Sequence, residues 1–207
     1  GTTAMNGWNN IEGSTMQEGP VKNISSNIFS NWTCGSLAVV CMFINNAGSN
    51  SVVSGNTITN ISATGSSAPT AITGISFGSS NRGTGISCSG NILSGFNNST
   101  TSTGAVLGIS ANWGSMTALT LSSNTISQLS SDAPVSIAGI RMSNGVLTPG
   151  AVINVSKNKI FDLTINNSSN SGTYTVSGIE ITSTIIGTTY NISNNLVGDL
   201  KAPLSDG

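Results

Sequence analysis

The stretch Ile153-Asn154-Val155-Ser156-Lys157-Asn158-Lys159-Ile160-Phe161-Asp162-Leu163 carries a pattern that returns, with changes, six times along the chain. Its skeleton is an apolar residue, two small or polar residues, an Asn, and apolar residues two and five places after that Asn. Aligned on the Asn, the copies fall at Asn27, Asn56, Asn91, Asn124, Asn158 and Asn195. Three places earlier stand Ile24, Val53, Cys88, Leu121, Val155 and Ile192. Two places later come Phe29, Ile58, Leu93, Ile126, Ile160 and Val197, and five places later Trp32, Ile61, Phe96, Leu129, Leu163 and Leu200. All eighteen flanking positions are apolar in a chain made largely of Ser, Thr, Asn and Gly, so the repeat is phase-locked.

A second motif lies between the Asn copies: an apolar residue, any residue, Gly, then alternating apolar positions. It reads Ile72-Thr-Gly74-Ile75-Ser-Phe77, Val106-Leu-Gly108-Ile109-Ser-Ala111, Ile137-Ala-Gly139-Ile140-Arg-Met142 and Val176-Ser-Gly178-Ile179-Glu-Ile181. Leu37-Ala-Val39-Val40-Cys-Met42 fits with Val39 in the Gly place, and Met5-Asn-Gly7-Trp8 fits one unit earlier. The spacing varies from 29 residues (Asn27 to Asn56) to 37 (Asn158 to Asn195), with the variation confined to the loops.

Alternation over four to six residues, without a sustained 3.6 period, signals strands. Units of two or three short strands cannot bury an apolar face alone and must stack on their neighbours. The expected fold is therefore all-β, a parallel β-helix of about six coils spaced about 4.8 Å apart. The five prolines lie outside the strand motifs, as strands paired on both edges require. The recurring Asn is expected to serve a left-handed corner and to hydrogen-bond to its counterparts above and below. The Gly of the second motif reads as a bend or a close backbone approach. Residues 1–207 read as a single β-helix domain. Neither end carries the polar capping unit of an isolated solenoid, which suggests a segment of a longer array or ends covered by a partner.

Only 6% of residues are charged and the net charge is -1, so there is no concentrated basic face for nucleic acid. The longest apolar run, Leu37 to Ile44, is far too short to span a membrane as a helix, and no membrane insertion is expected. Three cysteines, Cys34, Cys41 and Cys88, form neither a disulfide framework nor a zinc pattern. Cys88 falls at a core position, and pairing of Cys34 with Cys41 stays open because sequence does not give their separation.

The Asn-x-apolar core with its Gly-Ile strands resembles the right-handed parallel β-helix repeats of pectate-lyase-like proteins. Asn195-Leu-Val-Gly-Asp-Leu-Lys-Ala-Pro203 is similar to repeats in large secreted or surface-attached bacterial proteins, many exported by the type IX route. The resemblance covers about residues 21 to 203. It implies a right-handed coil and an extracellular or cell-surface location. It does not select an activity, because lyases, hydrolases, tailspikes and adhesins share this fold.

The chain has no His, which removes His-dependent nucleophile systems and His-based metal sites. Of seven carboxylates only Asp162 and Asp199 stack, both four places after the motif Asn. Neighbouring coils would set their backbones about 5 Å apart, near the carboxyl separation of retaining glycosidases. Their counterparts are Asn31, Asn60, Gly95 and Gln128, so the column is mostly amide, and the plainer reading turns both acids to solvent near a lysine. No metal site or required cofactor is expected, with calcium at these acids the one candidate. Arg141 and Glu180 hold the same outward place in consecutive Gly motifs and should attract across the ladder. Trp113, in a loop, and Phe161, where other coils have Ser, Thr or Gly, are the candidate ligand-binding aromatics. The sequence favours a noncatalytic structural or adhesive module whose partners are other protein chains or surface glycans. The alternative is a polysaccharide lyase or glycoside hydrolase using Asp162 and Asp199.

Overall fold

The computed structural model describes residues 5–10, 19–35, 38–64, 71–79, 81–99, 104–112, 116–143, 150–167, 174–182 and 187–202. Among the described residues eighteen strands form three parallel sheets of six strands each. One rung of the stack consists of Val106–Asn112 in sheet A, Ala118–Ser122 in sheet B and Thr125–Ser131 in sheet C. Each strand pairs with the one three elements away, so the chain is an all-β parallel solenoid. The coil is right-handed, the hand of nearly all crossovers between parallel strands of one sheet. Six strands per sheet put five full turns between the first rung and the last, so the expected count of about six describes rungs rather than turns. Among the described residues no helix is long and apolar enough to cross a membrane.

The strand registers reproduce the alignment of the Asn repeat. Phe29, Ile58, Leu93, Ile126, Ile160 and Val197 form one file across sheet C. The residues five places after the Asn, from Trp32 to Leu200, form a second file in the same sheet. Ile24, Val53, Cys88, Leu121, Val155 and Ile192 form the third, in sheet B. In the four middle rungs every member of these files is completely buried within one continuous core. The end rungs differ. Phe29 and Trp32 pack edge to face at 5.7 Å and are only partly buried, while Val197 retains 42% exposure. A side chain in this fold is sealed by rungs on both sides, and among the described residues these have a register partner on one side only.

Two inward residues three apart, as at Ile126 and Leu129, break the two-residue alternation of a strand. The backbone absorbs the extra residue in a left-handed bend at the position before the second one. That position is Asn31, Asn60, Gly95, Gln128, Asp162 and Asp199, and all six have φ between 51° and 69°. A second left-handed column corrects an expectation. It is Ser26, Gly55, Gly90, Ser123, Lys157 and Asn194, each immediately before a ladder Asn, and none of the ladder Asn residues has positive φ. The corner residue thus turns the chain, and the Asn that follows is free to point inward.

There it makes a closed network. Asn124 donates from Nδ2 to Asn158 Oδ1 at 3.0 Å and to the Cys88 carbonyl at 3.0 Å. Its own Oδ1 accepts from Asn91 Nδ2 at 2.9 Å and from the Asn91 backbone N–H at 3.1 Å. The Asn-to-Asn bonds run unbroken from Asn27 to Asn195, at 2.9 to 3.0 Å. A buried amide is stable only when its polar atoms are paired, and here each bond also fixes the register of one rung on the next.

The Gly motif has a packing cause. A Cβ at Gly108 would lie 2.7 Å from Ile126 Cγ2, and one at Gly139 would collide with Ile160. The glycine column of sheet A therefore makes room for the file of sheet C that carries Ile126 and Ile160. The reading of Val39 as the Gly equivalent is corrected by register: Val39 pairs with Ile72 and Met42 with Ile75, so Cys41 takes the Gly place. In a run apolar on both faces, a shift of two residues preserves the alternation, and only the pairing decides it.

Cys34, Cys41 and Cys88 are all buried, and no disulfide joins any two of them. Burial pushes the thiols of Cys41 and Cys88 up from 9.0 to about 12, with the Asn91 amide acting weakly the other way at Cys88. The unfolded chain would thus lose thiol protons where the folded chain keeps them, and stability should fall as pH rises from about 9 towards 12. Below that window we expect Cys41 and Cys88 to resist a disulfide exchange reagent at pH 8 and to react once the chain is unfolded in urea. Fast reaction in the native state would contradict their burial.

Candidate functional site

The outer face of sheet C gathers most of the residues that the sequence singled out. Its left-handed column projects outward from the bend, and the residue two places further on forms a second outward column: Thr33, Ser62, Asn97, Ser130, Thr164 and Lys201. Between these two columns lies an open depression of about 380 Å³, lined by Gly95, Asn97, Gln128, Leu129, Ser130, Asp162 and Thr164. It spans three successive rungs. A smaller depression, about 350 Å³, lies in the first rungs among Trp8, Lys22, Asn23 and Asn27.

Asp162 and Asp199 occupy the same position on successive rungs, as expected. Asp199 Oδ1 is 3.0 Å from Lys201 Nζ, an exposed pair reaching from one column to the other. That carboxylate raises the Lys201 pKa, through the hydrogen bond first and its charge second, with a further small contribution from Asp162. Asp162 instead lines the depression among amides and hydroxyls. Both acids sit at the bend column, where Asn, Gly, Gln and Asp tolerate positive φ. The backbone therefore accounts for their place in the sequence without any chemistry. Among the described residues no group of three or more His, Cys, Asp and Glu is placed to hold a metal ion.

Phe161 is 38% exposed on the outer face, beside Ser127 on one rung and Gly198 on the next. The space where a Gly198 side chain would stand is open. Trp113, the other candidate aromatic, lies outside the described residues. Arg141 and Glu180 are register partners in sheet A, and Nε of the arginine donates to Glu180 Oε2 at 2.9 Å. With both side chains about one-fifth exposed, this is a structural pair that holds the fifth and sixth rungs together.

Sequence reasoning placed Gln128 in the column of Asp162 but missed Asn97, Ser130 and Thr164 beside it. The signal was present: the three-residue interval between inward positions implies a bend, and a bend aligns the residues on either side of it into a furrow along the axis. No family model, characterised protein or solved structure matches the chain.

Proposed function

We propose that the chain is a noncatalytic β-helical module of a secreted or cell-surface bacterial protein, and that its polar faces and loops meet a glycan or another protein. The single observation that carries this reading is the placement of the stacked acids Asp162 and Asp199. Asp162 and Asp199 stand at a backbone bend shared with Asn31, Asn60, Gly95 and Gln128, and one of the two is held by a lysine. A general acid and its partner need a common substrate atom within reach, whereas Asp199 is engaged by Lys201. The repeat's resemblance to type IX exported surface proteins supports the extracellular setting, and the sparse charge suits a display surface better than an electrostatic one.

The test is the double variant Asp162→Asn with Asp199→Asn. Asn already occupies this column twice, and the lost ion pair is exposed, so stability should change by less than about 1 kcal/mol. Binding to cells or glycans should persist in the variant, and neither protein should release reducing ends or unsaturated products from plant or algal polysaccharides. Sustained turnover by the parent chain that vanished in the variant would establish a lyase or hydrolase instead.

A further inference from the structure

We infer that this chain associates with copies of itself end to end, the sixth rung of one copy docking on the first rung of the next and continuing all three sheets. The inference goes beyond the display reading and does not depend on it. It starts from the polarity of the amide ladder. Asn158 donates to Asn195 Oδ1 from its backbone N–H at 3.0 Å and from Nδ2 at 2.9 Å, and every earlier member does the same to the next. Asn195 spends one Nδ2 hydrogen on the Val155 carbonyl. Among the described residues its backbone N–H and its other Nδ2 hydrogen meet no acceptor. Asn27, at the opposite end, donates to Asn56 and to the Ser25 carbonyl, and no described group donates to its Oδ1. One end of the ladder thus lacks the acceptor that the other end holds spare.

The backbone carries the same polarity. Among the described residues the strands of the first and sixth rungs are paired on one side only, and an unpaired edge is a template for a strand of another chain. In sheet C the N–H one place after each ladder Asn donates to the carbonyl of the preceding Asn, as Thr57 does to Asn27 at 2.8 Å and Leu196 to Asn158 at 2.9 Å. The equivalent donor at the first edge is the N–H of Ile28, and the equivalent acceptor at the sixth is the carbonyl of Asn195. A second copy stacked in the register of the repeat sets these two together.

The side chains fit the same joint. The interior files reach the sixth rung at Ile192, Val197 and Leu200, which are 46%, 42% and 38% exposed, whereas their register partners Val155, Ile160 and Leu163 are fully buried. At the first rung, the depression of about 350 Å³ is lined by Trp8 from sheet A and by Ile24 and Asn27 from sheet B and its corner. Stacking in register brings Ile192 onto Ile24, at that hollow. No like charges oppose it: Asp199 and Lys201 would meet Asn31 and Thr33, and Glu180 would meet Asn9. Because the two docking faces differ, the contact is heterologous and does not close, so it builds an open filament.

Sedimentation velocity of the whole chain over roughly a hundredfold range of concentration should show species that lengthen as concentration rises. Two variants block one face each. Val197→Asp puts a carboxylate in the file exposed at the sixth rung, and Ile28→Pro removes the donor of the first edge at a residue 75% exposed. Both should keep the parent's circular dichroism. Each alone should stay monomeric, and an equal mixture should form pairs and nothing longer, because one competent face of each kind remains. A parent that stayed monomeric throughout, a single variant that lengthened like the parent, or a mixture that either stayed monomeric or grew past pairs would each overturn the inference. A monomeric parent would leave the display module standing, since one copy can present its faces alone.

Discussion

Replacing Asn124 by Ala is expected to destabilise the chain by on the order of 4 kcal/mol, near the top of the range for a point substitution. The side chain is completely buried and closes four hydrogen bonds. Without it the Asn91 backbone N–H and an Asn91 amide hydrogen are left unpaired in the interior, at about 1 to 3 kcal/mol for each group that water does not reach. In a chain of this size such a loss should lower Tm by roughly 10 °C. Asn195→Ala supplies the contrast. Asn195 is half-buried in the last rung, and water can replace part of what it gives, so its loss should be about 1 kcal/mol. Thermal and urea unfolding of the two variants checks the prediction, and equal losses at Asn124 and Asn195 would show that the interior ladder is not what holds the rungs in register.

Ile126→Asp should be more damaging still. Ile126 is fully buried between Leu93 and Ile160 in the stacked file. Removing the aliphatic group forfeits about 1.5 to 3 kcal/mol of burial. The carboxyl brought into its place adds a desolvation penalty of about 2 to 7 kcal/mol even when protonated, with no hydrogen-bond partner among the apolar file. The sum is comparable to the whole stability of an ordinary domain. Because rungs are held chiefly by nearest-neighbour contacts, the damage should spread to the coils on either side. Val197→Asp, in the same file but 42% exposed, should cost far less. Circular dichroism of the two variants gives the readout, and an Ile126→Asp protein that melted like its parent would mean that this file does not face the interior.

Reading the file and the ladder required no coordinates, because a stacked repeat turns sequence phase directly into space. Residues in the same phase of successive units become vertical neighbours, and the apolar positions around each Asn can be buried only if they share one interior. For the same reason Arg141 could be matched with Glu180 across two loops of unknown shape. The Leu37 to Ile44 run resisted this logic: it is apolar on both faces, so two registers satisfied the same pattern until strand pairing set Cys41 in the Gly column.

By itself, then, the amino-acid sequence determined a parallel all-β solenoid, its three interior files and its amide ladder, since these follow from the periodic burial of side chains and the pairing of buried amides. Tertiary structure alone decided where the backbone turns, which acid pairs with a lysine and which surface is concave. Those depend on φ at single residues, and several residue types tolerate the same left-handed bend. Asn31, Gln128 and Asp162 align in phase along the repeat, yet that this phase is a left-handed bend shows only in the backbone. The furrow beside it exists only because each rung bends at the same place.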